Sequence, residues 1–317
     1  MTETERKRTS YIFPGQGAQY VGMGRDFYRD FPVAKRLFEE ADDILQRNLS
    51  AIIFEKDEAE LTQTKNSQPA IYVTSMAILR VLEEQFGKVP FATAGLSLGE
   101  YTALTAAHKL SFQETLPLVQ ARGLYMHEAC EATSGTMAVV LGLENEQVIE
   151  VVRELQMPNE LWCANFNCPG QVVISGTRKG VEIGSKACLE KGAKKVIPLQ
   201  VHGAFHSGLM KTAQEQLGPK IEKAPIQESA IQLVSNVTGD FVKSPEQIKK
   251  ALIQQVSSPV LWQKAIRTLD TASTDLFIEI GPGKTLSAMN KRIAVTAATI
   301  SVEKVEDLKI ITERLSS

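Results

Sequence analysis

Gly95-Leu96-Ser97-Leu98-Gly99 ends the apolar stretch 91–96 and opens onto an amphipathic, helix-like run over 98–108. A strand that turns sharply into a helix needs glycine on both sides of the turning residue. The serine between them is then pushed outward, with its hydroxyl clear of the backbone. This context makes Ser97 the first candidate nucleophile. Three fixed positions are a weak signal alone, and Ser97 near the cap of an ordinary helix start would read the same way. The rest of the chain has to decide.

Working outward, 10–14 reads as a strand running into Gly15-Gln16-Gly17, and helical periodicity follows over 33–46 and 71–86. Apolar strands alternating with amphipathic helices predict a parallel sheet covered by helices. From about residue 136 the rhythm changes to strand 137–141, helix 145–155, strands 161–165 and 171–175, helix 181–190 and strand 195–199. That order is β-α-β-β-α-β, the ferredoxin-like unit. The expected fold is therefore an α/β core in two sequence segments, 1–133 and 203–317, with a ferredoxin-like subdomain inserted over 134–202. The core resumes with a helix over 209–221 and a strand over 275–280.

The 317 residues carry 35 Lys+Arg against 37 Asp+Glu, a formal charge of −2, with no basic cluster interleaved with aromatics. Nucleic acid is not an expected partner. No apolar run approaches a membrane span, and the first ten residues are polar and too short for a secretory signal, so a cytoplasmic protein without a membrane partner is expected. Cys130, Cys163, Cys168 and Cys188 lie far apart and predict buried free thiols; neither they nor the four histidines have metal-ligand spacing. Gly281-Pro-Gly-Lys-Thr285 lacks the first glycine of a Walker loop, because Ile278 stands there, and Tyr20 replaces the third glycine of a dinucleotide fingerprint at Gly15-Gln-Gly17.

A serine nucleophile needs a base. His108 and His127 lie far along their helices, away from the elbow. His202 and His206 lie in Val201-His-Gly-Ala-Phe-His-Ser-Gly, a loop where an exposed, mobile imidazole is expected, and His206 is the preferred candidate. The alternative is a loop histidine that merely helps set the helix start led by Ser207. On the helix 112–130, Phe112, Leu116, Val119, Met126 and Cys130 form an apolar stripe that contains Arg122. A guanidinium on an inward face suits a carboxylate held by its fork. A structural Asp or Glu partner, or a head lifted to solvent, would satisfy it as well. The amides of Gly15-Gln16-Gly17 would lie at the carboxyl edge beside Ser97, either completing an oxyanion hole or simply making a tight turn. The second donor of such a hole is the amide of Leu98.

Taken together, Phe13-Pro-Gly-Gln-Gly17-Ala-Gln, Gly95-Leu-Ser97-Leu-Gly-Glu-Tyr101, Gln120-Ala-Arg122-Gly, Asn165-Phe-Asn167-Cys-Pro-Gly-Gln171-Val-Val, Gly203-Ala-Phe-His206-Ser and Ile280-Gly-Pro-Gly-Lys-Thr-Leu286 resemble the malonyl-CoA:acyl carrier protein transacylase family, in order and over nearly the whole chain. The resemblance implies an α/β-hydrolase-like core with an inserted ferredoxin-like subdomain. It also implies transfer of malonyl from coenzyme A to the phosphopantetheine thiol of an acyl carrier protein, in fatty acid or polyketide synthesis.

By that resemblance Ser97 carries the acyl group, His206 is base and then acid, and Arg122 clamps the malonyl carboxylate. Gln16 and Leu98 supply oxyanion amides, while Asn167 and Gln255 line the site or hold the histidine through a carbonyl. Phe205 matches the malonyl-selecting version of its motif. No cofactor is implied, malonyl-CoA and the carrier being substrates, and a monomer is the default. Leu96 departs from the histidine usual before the nucleophile. A serine hydrolase would place an acid between nucleophile and base and the histidine near the C-terminus. Here more than a hundred residues follow His206.

Overall fold

The computed structural model describes residues 7–201 and 203–316; His202, the second loop histidine, lies outside them. The chain opens with β1 (Thr9–Phe13), buried along its whole length, and reaches β2 (Ala92–Gly95) after a set of helices. Parallel strands covered by helices on both faces are buried throughout rather than alternating; β1 is so buried, with the Ser10 hydroxyl paired to Thr274 Oγ1 at 2.8 Å. The longest of these helices, Thr64–Phe86, starts a full two turns before the periodicity at 71 suggests. Pro69 lies inside it and cannot donate to the carbonyl of Lys65. Nη2 of Arg47 donates to that carbonyl at 3.2 Å instead, so the proline leaves no orphaned acceptor.

The predicted insertion is a separate sheet of β3 (Gly135–Leu141), β4 (Leu161–Cys168), β5 (Gln171–Thr177) and β6 (Lys195–Pro198), in the antiparallel order β4-β5-β3-β6. Helices Asn145–Glu154 and Arg178–Glu190 complete the β-α-β-β-α-β order. Strand alternation divides its two faces. Ala138, Val140, Val172 and Ile174 pack beneath those helices, while Met137, Val139 and Val173 join the core of the larger body.

The chain then adds β7 (Gln232–Val234), β8 (Phe241–Val242), β9 (Leu276–Ile280) and β10 (Ala298–Val302) to β1 and β2, giving a six-stranded sheet in the order β10-β9-β1-β2-β7-β8. Only β8 runs antiparallel to its neighbour. Because β9 and β2 flank β1 on opposite sides, the chain leaves β1 and β9 in opposite directions. Such a switch point is where open α/β sheets bind ligands. A bridge from Asn165 to Val260, with Phe166 N–H donating to the Val260 carbonyl at 2.9 Å, ties the small sheet to the segment that follows Gln255.

All four cysteines are free thiols, but Cys163 is only half-buried rather than buried. The look-alike phosphate loop at Gly281 has its helix amides taken by the chain itself, since Glu279 accepts from Leu286 N–H and Ser287 N–H at 2.9 Å each.

Candidate active site

The turn after β2 is built by close backbone approach. A Cβ on Gly95 would lie 1.9 Å from the carbonyl of Gly99, one on Gly99 would lie 2.2 Å from the Phe13 carbonyl oxygen of β1, and one on Gly15 would lie 2.3 Å from the Leu96 carbonyl oxygen. Only hydrogen fits at these points. Ser97, at φ 53°, takes the left-handed conformation that side chains other than glycine rarely adopt. Asn236, just after β7, clamps the turn: its Oδ1 accepts from Ser97 N–H and its Nδ2 donates to the Gly95 carbonyl, both at 2.7 Å.

Oγ of Ser97 lies 2.7 Å from Nε2 of His206. Nδ1 of His206 donates to the backbone carbonyl of Gln255 at 2.9 Å, which leaves Nε2 as the acceptor facing the serine hydroxyl. The orienting group is thus a neutral carbonyl. The expected exposed imidazole is corrected here, for His206 is 3% exposed. Its loop is packed from two sides, Gly203 against Cys130 and Gly208 against Trp162 of β4. Ser207 starts the next helical turn by accepting from Leu209 N–H. Burial first, and the nearby Arg122 charge second, push His206 down to about 4, while its carbonyl partners oppose them.

Arg122 is 1% exposed and, among the described residues, meets no carboxylate within ion-pair distance. Its Nη1 donates to Gln68 Oε1 at 2.6 Å, and its Nη2 to Gln255 Oε1 at 2.9 Å and to Ser97 Oγ at 3.0 Å. Its Nε finds no partner among the described residues. A buried guanidinium held by neutral groups alone, two amides and a hydroxyl, stays strongly attractive to an entering anion. Burial lowers its pKa, partly offset by Tyr101 and Glu100.

Gln16, Leu96, Ser97, Asn167, Phe205 and His206 line one cavity, with Met126, Met137 and Met289 as apolar wall. Arg122, Gln255 and Leu98 stand behind that wall; Arg122 reaches Ser97 Oγ through Nη2. Gln254, beside Gln255, is exposed and faces away. Asn167 Oδ1 is a buried acceptor with no partner among the described residues. The amides of Gln16 and Leu98 are not used by hydrogen bonds with other described residues, whereas that of Ser97 is taken by Asn236. His108 and His127 stay far from this cluster in role, one exposed past its helix end and the other half-buried beside a different cavity.

Sequence reasoning missed Gln68, Glu100 and Asn236. Glu100 is buried, accepts from Gln255 Nε2 at 2.6 Å, and is pushed up to about 7 by burial against the pull of its donors. Gln68 comes from the buried first turns of the long helix, where polar residues give no amphipathic signal. Asn236 lies in Ser235-Asn-Val-Thr-Gly239, which reads as an ordinary turn. Among the described residues no group of three or more His, Cys, Asp or Glu is placed to hold a metal ion, and no helix is long and apolar enough to cross a membrane.

The arrangement brings a neutral imidazole and a fixed cation to one serine oxygen, which suits nucleophilic attack by that oxygen. The family described as the acyl transferase domain matches residues 10–311. The malonyl CoA-acyl carrier protein transacylase of Bacillus subtilis is 44% identical over 309 residues, covering 97% of each chain, and that of Haemophilus influenzae is 36% identical over 310 residues. Among solved structures, a type II PKS acyl-carrier protein in complex with its malonyl-transacylase gives a TM-score of 0.93 at 37% identity, covering 97% of this chain and 99% of the other. The Streptococcus pneumoniae enzyme gives 0.92 at 39%, covering 97% and 100%.

Proposed function

The chain belongs to the acyl transferase domain family, and from that premise we propose that it moves a malonyl group from coenzyme A to the phosphopantetheine thiol of an acyl carrier protein, through an ester on Ser97. The observation that carries this reading is the convergence of His206 Nε2 at 2.7 Å and Arg122 Nη2 at 3.0 Å on Ser97 Oγ.

Nε2 of His206 takes the Ser97 proton as Oγ attacks the thioester carbonyl carbon. The oxyanion that forms is met by the amides of Gln16 and Leu98, a donor of this kind being worth about 3–4 kcal/mol of barrier. The C–S bond then breaks, and the imidazolium returns its proton to the departing coenzyme A sulfur. In the second half His206 takes the carrier thiol proton, the sulfur attacks the seryl ester, and Ser97 leaves and recovers its proton. This is a ping-pong cycle that uses only protein groups and needs no cofactor.

Once Ser97 is esterified its oxygen no longer accepts from Arg122 as a hydroxyl, and Nη2 turns to the free carboxylate of the malonyl group. Asn167 lines the cavity with an unpaired Oδ1 that can accept an amide N–H of the pantetheine arm, and Phe205 and Leu96 limit the width of the cavity with apolar surface. Gln255 serves twice, holding His206 through its carbonyl and Arg122 through its amide. In this reading the larger body, 1–133 and 203–317, carries the acyl chemistry, and the insertion 134–202 roofs the cavity with Met137, Asn165, Asn167 and Val173. The carrier serves fatty acid or polyketide synthesis in the cytoplasm.

The test is malonyl release from malonyl-CoA with and without a holo-carrier protein. Malonyl appearing on the carrier thiol is the expected result. Release at the same rate as free malonate, with no thiol acceptor required, would assign a hydrolase instead.

A further inference from the structure

A buried guanidinium usually sits against a carboxylate, because neutral groups leave its charge uncompensated. Arg122 has instead a carboxylate one residue further off. Nη2 of Arg122 donates to Gln255 Oε1 at 2.9 Å, and the other end of the same amide, Nε2, donates to Glu100 Oε2 at 2.6 Å and to the Ser97 carbonyl at 2.9 Å. Glu100 is 1% exposed, lies in the first turn of the helix Gly99–Ala106, and also accepts from Asn236 N–H at 3.3 Å. An anion there suits the helix start.

The two ends of a glutamine amide have nearly the same shape, so only hydrogen bonding decides which faces where. Flipped, Gln255 would turn its NH2 toward the guanidinium donors and its oxygen toward three acceptors, Glu100, the Ser97 carbonyl and Asn236 Oδ1. All three accept only and oppose that flip, and the bond to the Glu100 carboxylate is the shortest of them.

We propose that Glu100 is a positioning residue: by fixing the Gln255 amide with its oxygen toward Arg122, it holds the guanidinium in the orientation that selects acyl groups bearing a free carboxylate. The inference rests on the malonyl-transfer reading above. With Glu100 neutral or replaced by an amide, the shortest of the bonds that hold the Gln255 NH2 weakens, the amide swings more freely, and the Arg122 fork loses a firm anchor beside the nucleophile. Charged and titratable groups facing Glu100 are Arg122, on the neighbouring helix Phe112–Ala132, and Tyr101 on its own helix; Ser235, Asn236 and Gln255 face it from the remaining elements and are uncharged.

The experiment measures kcat and KM for loading by malonyl-CoA and by acetyl-CoA in the wild type, Glu100→Gln, Arg122→Ala and the double variant. Glu100→Gln is expected to raise KM for malonyl-CoA and cut the malonyl-to-acetyl ratio of kcat/KM about tenfold, with kcat changed by less than about threefold. In the Arg122→Ala background the same substitution leaves the ratio unchanged. A folded Glu100→Gln protein with the wild-type ratio overturns the inference, as does an equal loss of ratio without Arg122.

Should Glu100→Gln fail to fold, the wild-type ratio decides. Because burial holds Glu100 at about 7, the ratio falls as pH is lowered from about 8 to about 5.5. Over that range His206, held at about 4, stays neutral, and the malonyl carboxylate stays ionised. A flat ratio overturns the inference. A wild type that never loads malonyl overturns the transfer reading itself, which is a separate outcome.

Discussion

Nε2 of His206 lies 2.7 Å from Oγ of Ser97, although 109 residues separate them along the chain. Both residues sit in the left-handed backbone region, at φ 56° and 53°, and neither is glycine. Each such placement costs of order 1 kcal/mol or more and persists only where the surroundings enforce it. The elbow glycines and Asn236 enforce it for Ser97. The two-sided packing of the loop 203–208 and the Gln255 carbonyl enforce it for His206.

In the proposed reading the cation beside that pair governs which acyl group is accepted. Arg122→Ala should lower kcat/KM for malonyl loading relative to acetyl loading by about ten- to a hundredfold, the worth of a hydrogen bond between charged partners. Stopped-flow or quenched loading with both thioesters measures it. Equal losses for the two would show that Arg122 supports Ser97 rather than the second carboxylate.

The His206 imidazole is neutral well below physiological pH. A histidine whose folded pKa is about 4, against an ordinary 6.5, binds its proton less readily folded than unfolded. Its contribution to stability is therefore complete above about 6.5 and is lost as pH falls toward 4. Against His206→Gln as reference, the wild type should lose roughly 2 kcal/mol between about pH 7 and pH 5, read from urea midpoints. Using the difference cancels Glu100, whose raised pKa acts with the opposite sign in both proteins. Loading rates should likewise show no inflection from His206 between about pH 6 and pH 8. A wild type that tracks the variant at every pH would refute the depressed pKa.

The elbow tolerates no side chain where strands and turn meet. Gly99→Ala would set a Cβ 2.2 Å from the Phe13 carbonyl oxygen, rigid backbone on both sides, and should cost about 3 kcal/mol or more. At Gly17, φ is +100° but nothing lies within 4 Å, so Gly17→Ala should cost only about 1–2 kcal/mol of backbone strain. Thermal or urea melts of the two variants check the order. Equal costs would mean that close approach does not shape the turn.

What the sequence disclosed followed from local sterics and short periods. Gly95 and Gly99 flag a turn that only hydrogen permits. The buried stripe through Arg122 is visible at helical spacing, and the strand-helix rhythm over 137–199 is carried by alternation that the β3–β6 sheet keeps. The helix Thr64–Phe86 was legible only from 71, because its earlier turns bury Asn66, Ser67 and Gln68 and carry a proline whose lost bond is made good by Arg47, 18 residues away from Lys65. Asn236, Glu100 and Gln68 act across long separations, 139 residues in the case of Asn236 and Ser97, and nothing near them in sequence distinguishes a site residue from a turn, a helix cap or a buried amide. Burial of His206 escaped for the same reason: the loop is covered by Trp162 of the inserted sheet, a contact no local pattern encodes.

The most direct test of the central claim is the mass of the intact protein after mixing with malonyl-CoA, followed by peptide mapping of the modified residue. A single malonyl adduct on Ser97, absent from Ser97→Ala and discharged by a carrier thiol, is the predicted result. An adduct that survives Ser97→Ala, or a wild type that never acquires one while transfer proceeds, would contradict it.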